Sequence, residues 1–167
     1  MDEELIRWCA LATRAACARM TAQQLKALHD SVGQARRLPA RFAWDRKATA
    51  HAQILNLLAD AAGAAHSADA AGAAHSADAA EAVHAAQPTA RPVPAALLNN
   101  AVMAIHDLMI TVGPAADGII LSSRRRLLEL IRAGDADGAA AEMEQHLRRL
   151  HFMWKLSRST EPGGIAV

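Results

Sequence analysis

The chain of 167 residues has the length of one domain with a proper core, and its 52% hydrophobic content is carried by Ala and Leu, with only 3% aromatics and no Tyr, a balance that favours helix over sheet. A net charge of +1 with Lys and Arg interspersed among acids leaves no electrostatic footprint for nucleic acid. No apolar run approaches the length of a membrane span and the acidic start Met1-Asp2-Glu3-Glu4 is the reverse of a signal peptide, so the expectation is an all-α, cytoplasmic protein without a membrane partner.

Residues 3–19, EELIRWCALATRAACAR, read as a helix with Glu3 and Glu4 at its positive end and Arg19 at its negative end. Cys9 and Cys17 lie eight residues apart on it, about 12 Å by helical rise, too far for a bridge between them; two such thiols suggest a reducing compartment. Thr21 and Gln24 form a capping box for a second helix, TAQQLKALHDSV, expected to stop at Gly33 with His29 solvated near its end. Pro39 breaks the chain again. A third helix is expected over residues 41–60, where Trp44, Ala48, His51, Leu55 and Leu58 share one face. His51 therefore belongs to the core stripe, Lys47 lies one turn before it and reaches the same region, and Asp45 points toward another face.

Residues 61–96 change character. The block AGAAHSADA stands at 62–70 and again, unchanged, at 71–79, followed by a looser copy around His84 and the run QPTARPVP. Ala-rich sequence of this kind extends a helix without offering a bulky face for packing, and His66, His75 and His84, nine residues apart, fall on alternating faces. The reading is a solvated, partly helical spacer, ended by Pro88, Pro92 and Pro94. A further helix, 97–112, carries Leu98, Val102, Ile105, Met109 and Val112 on one stripe, with His106 half-buried beside it between Met103 and Ile110. Gly113-Pro114 ends it, and Gly118 precedes the next segment.

Residues 119–156 read as two helices joined by one sharp corner. The first runs out at Gly134, with Arg132 in its last turn; Asp135 caps the second and Asp137 sits in its first turn. Arg124 falls inside the stripe Ile120, Arg124, Leu127, Ile131, and His146 inside Met143, His146, Leu147, Leu150, Trp154. Each polar group points where an apolar side chain is expected. An unpaired buried charge costs roughly several kcal/mol, so an inward Arg needs an acid, water or an anionic ligand. A lone core histidine is ordinary; several inward polar groups in one chain are not. The tail beyond Arg158 is expected to fray.

The ending SRRRLLELIRAGDADGAAAEMEQHLRRL resembles the close of the FadR C-terminal (FCD) domain, the effector-binding and dimerising half of one branch of GntR-family transcription regulators. DRKATAHAQILNLLAD is similar to that family's Asp-x-x-x-His helix, and ATRAACARMTAQQLKAL to its first helical pair. The resemblance implies a domain over residues 1–158, an antiparallel bundle of six to seven helices around a central cavity, with the Ala/His-rich stretch at about 61–96 as an insertion and 159–167 as a tail. It also implies a homodimer that meets DNA only through a winged helix-turn-helix domain, which these residues do not supply.

Many members of that family hold a divalent metal through one Asp and three His. Position by position, His51 matches the first histidine and His146 the last, whereas Lys47 stands at the place of the Asp and Arg124 at that of the middle histidine. Two neutral ligands facing two cations disfavour a divalent metal at His51 and His146 without excluding it, and no other cofactor is implied. The same residues suit an anion: Lys47, Arg124, His51 and His146, with His106 nearby, are the expected ligand-binding set for a carboxylate or acyl-type effector in an apolar interior. No nucleophile-base arrangement, phosphate loop or paired carboxylates appear, so an enzyme is not expected. The rival readings are a ligand-free helical dimerisation module, which a filled core with Arg124 turned outward would favour, and a metal-binding FCD domain using His51 and His146.

Overall fold

Short local signals set the helix boundaries in the computed structural model, which describes residues 2–39, 43–63 and 95–159. Helix α1 (Glu3–Arg19) begins at Asp2, whose carboxylate accepts from the Glu4 amide at 3.2 Å. Helix α2 (Ala22–Arg37) opens on the complete Thr21/Gln24 capping box. It does not stop at Gly33 as expected. Leu28, Val32 and Ala35 carry a buried face straight through that glycine, and the helix ends only when Leu38, before Pro39, turns extended. Helix α3 (Trp44–Ala62) has its expected first residues, 41 and 42, outside the described residues, and it runs two residues further than expected, to close on Gly63 at φ 80°, where a side chain would be strained. Arg19 donates to the Ala62 carbonyl at 2.9 Å, so the end of α1 helps cap the end of α3.

Helix α4 (Ala95–Val112) is followed by a single 3-10 turn, Pro114–Ala116. Its buried face is Ala101, Ile105, Leu108 and Met109, rotated from the expected stripe: Val102 and Val112 are half-buried, and Leu108 takes the place in the core. Helix α5 (Asp117–Arg132) includes Gly118 rather than starting after it. The corner into α6 (Ala136–Ser159) is built as the sequence suggests. Gly134 takes φ 72°, the Asp135 amide reaches back to the Leu130 carbonyl at 3.0 Å, and the Asp135 carboxylate accepts from the Gly138 amide at 2.9 Å.

The described residues are all-helical. α6 lies along α1 and also meets α4 and α5; α3 packs on α1, α2 and α4; and α5 meets α2 as well. Ile6, Leu28, Ile54, Ile105, Ile120 and Leu147, from six different helices, are almost fully buried. Each such side chain stabilises the fold by about 1.5–3 kcal/mol relative to exposure. No single described helix is long and apolar enough to cross a membrane. Of the stretch 61–96, Ala61 and Ala62 finish α3 and Ala95 and Ala96 open α4. The expectations for His66, His75 and His84, for the repeat as spacer, and for the tail fall outside the described residues.

Candidate functional site

Helix α5 sends an arginine into the interior. Ile120, Arg124, Leu127 and Ile131 are all buried, and Arg124 is 1% exposed. Among the described residues its guanidinium finds no partner: Nε, Nη1 and Nη2 are each buried without a hydrogen bond. Burial lowers its pKa from 12.5 to about 10, against a smaller opposing influence of Cys9, so at neutral pH it remains a cation.

Two histidines share the region. His51 on α3 and His146 on α6 are 0% and 1% exposed, and all four of their ring nitrogens lack a hydrogen-bond partner. Burial, then the field of Arg124, then that of Lys47, lower His51 from 6.5 to about 3. For His146 the order is burial, Arg124, His51 and Arg149, and its pKa falls well below the ordinary value. Both are therefore neutral imidazoles at physiological pH, each with one donor and one acceptor nitrogen to satisfy. From α1 comes Cys9, buried and in no disulfide; burial pushes its thiol up to about 11, against the lowering field of Arg124. Four helices, α1, α3, α5 and α6, thus converge their polar groups around one guanidinium.

Lys47 belongs to the same buried region, at 2% exposure, but its situation differs. Nζ donates to Asp117 Oδ2 at 2.7 Å and to the Leu38 carbonyl at 3.0 Å, so its charge is balanced by the first residue of α5. Among the described residues the cationic floor expected of Lys47 and Arg124 therefore contains one unbalanced cation, Arg124. His106 stays apart from that set, half-buried on α4 between the exposed Met103 and Ile110, with Nδ1 3.6 Å from an Asp107 oxygen. Asp45 is exposed.

Sequence reasoning missed two members. Asp117 stands seven residues before Arg124, two turns along the same face. That spacing was legible but depended on starting α5 before Gly118. Cys9 falls on α1 with Ile6 and Thr13, all buried, a stripe that the search for a disulfide passed over.

A resident metal does not fit these residues. Among the described residues no group of three or more His, Cys, Asp or Glu is placed to hold one. His51 and His146 supply two neutral ligands, and the Arg124 cation beside them opposes a dication. A surface cleft of about 980 Å³ lies elsewhere, along the outside of the α5–α6 hairpin between Leu130, Arg126, Glu142 and Phe152. No family model matches the chain, and comparison with curated proteins and with solved structures finds no match either.

Proposed function

We propose that the chain is the effector-binding and dimerising domain of a FadR-type, GntR-family transcription regulator, and that a small organic anion binds inside its helical bundle on Arg124. On this reading the helices form an antiparallel bundle that parts between α1, α3, α5 and α6 to admit the ligand. One observation carries the reading: Arg124, charged and 1% exposed, has three nitrogens without a partner and faces two imidazoles in the same condition. The shift from 12.5 to about 10 corresponds to about 3 kcal/mol spent on burying that charge. Folds keep such groups where a ligand completes them.

A carboxylate has the geometry required. Its two oxygens accept a bidentate pair of bonds from the guanidinium, and the neutral His51 and His146 each offer one N–H to the remaining lone pairs. The apolar core, which includes Ile54, Ile105 and Met143, suits an apolar body behind the anionic head. Ligand at a hundred times its Kd stabilises the bound arrangement by about 2.7 kcal/mol. Control of an attached DNA-reading domain follows if the two dimer arrangements differ in affinity for the anion. The inward Arg124 supports this reading over the ligand-free dimerisation module, in which an arginine has no reason to face the core.

Native mass spectrometry of the untagged protein tests the proposal, because it reads oligomer mass and retained adducts together. A dimer carrying an organic anion is the expected result. A single transition-metal ion on each chain would replace the anion site by a metal site at His51 and His146, and a bare monomer would contradict the regulator reading.

A further inference from the structure

The balance of charge around Arg124 specifies what the site accepts. Lys47 and Asp117 cancel. Cys9 stays a thiol, and both imidazoles are neutral. Glu142, one turn before His146 on α6, accepts from the Ser123 hydroxyl and lines the surface cleft instead. Arg149 lines that cleft as well, with its field reaching His146 from the surface. Helices α2 and α4 turn Leu28, Val32, Ile105 and Met109 toward the core and add no charge there. Among the described residues the buried cluster therefore carries one uncompensated positive charge.

We infer that the cluster holds its occupant at net neutrality: it takes a singly charged anion as it stands, and a doubly charged one only together with a proton delivered to His146 or His51. This deepens the anion-binding reading and rests on it. A monoanion cancels Arg124, and the imidazoles keep their neutral form because nothing remains to stabilise a second cation in the interior. A dianion leaves one negative charge buried. That charge reverses the field at both rings, and the unpartnered acceptor nitrogens of His51 and His146 are the places where a proton can be taken up. The proton comes from solvent and leaves with the ligand. Discrimination between mono- and dianions is then set by pH, without any change in the shape of the site.

Methanesulfonate and sulfate test this directly, since they have nearly the same tetrahedral shape, differ by one charge and stay ionised between about pH 5.5 and about pH 8. Each is titrated calorimetrically into the full chain, in two buffers of different ionisation enthalpy. Methanesulfonate should bind with an affinity constant to about twofold across that range and with heats independent of buffer. Sulfate should weaken by about tenfold per pH unit, with the buffer dependence of one proton taken up. Imidazole nitrogen shifts should report ring protonation with sulfate and not with methanesulfonate. Sulfate binding equally well at both ends of the range, or proton uptake with methanesulfonate, would overturn the neutrality rule while leaving the anion site standing. Binding of neither anion would overturn the rule and the anion-binding reading together.

Discussion

Lys47 and Arg124 are two cations buried in one helical core, and the fold treats them in opposite ways. Lys47 has Asp117 at 2.7 Å and a backbone carbonyl at 3.0 Å. Among the described residues Arg124 has no hydrogen-bond partner for any of its three nitrogens. Pairing a buried charge with another offsets much of its desolvation and fixes the helices on either side of it, here the approach of α3 to the start of α5. Leaving one unsatisfied costs stability, and the anion proposed for Arg124 would offset that cost.

The contrast breaks most sharply at Asp117. Asp117→Asn strands the Lys47 ammonium at 2% exposure, and chemical denaturation should show a loss of about 3–5 kcal/mol. Adding Lys47→Met to that variant should restore most of it; a mild effect of the single substitution would show that the pair is not what holds Lys47 inside. Arg124→Met should go the other way in buffer free of added anions, raising stability by about 1–4 kcal/mol, because no counter-charge is stranded. A loss of comparable size would mean that Arg124 has a partner within the fold.

The histidines sharpen the comparison through pH. In the unfolded chain His51 takes up a proton near its ordinary 6.5, and in the folded chain only near 3. Below 6.5 the unfolded state therefore binds more protons, and stability present above that pH is lost as pH falls. The loss should be about 1.4 kcal/mol per pH unit for each of His51 and His146. Denaturation curves between about pH 7.5 and about pH 4.5 should show this slope, and His51→Leu with His146→Leu should flatten it; an unchanged slope would place its origin in other groups. The smallest effect is local and involves neither cation. Thr21→Ala removes the capping box of α2 and should cost about 1 kcal/mol in the same measurement.

Much of this architecture was legible in the sequence because its determinants are local. The Thr21/Gln24 box, the Gly134 turn and the Asp135 cap act within a few residues, and their positions follow from side-chain and backbone chemistry alone. The inward placement of His51, Arg124 and His146 followed from helical periodicity, which needs no knowledge of neighbours. What periodicity cannot supply is the partner across the core. Lys47 read as a second free cation because Asp117 lies seventy residues away in sequence and only packing brings it within 2.7 Å. Gly33 read as a helix end because its weak helix propensity is visible, while the tertiary contacts of Val32 and Ala35 that override it are not. The face of α4 was misjudged for the same reason: both Val112 and Leu108 are apolar, and only the neighbours of α4 decide which is buried.

The most direct test of the account follows the thermal unfolding of the wild-type chain and of Arg124→Met as methanesulfonate is added from zero, with ionic strength held constant by a bulky organic salt. Without the anion the variant should be the more stable; as the anion is added the wild type should gain and overtake it, while the variant stays flat. Parallel curves for the two proteins, or a variant less stable from the outset, would contradict the claim that Arg124 is an arginine waiting for an anion.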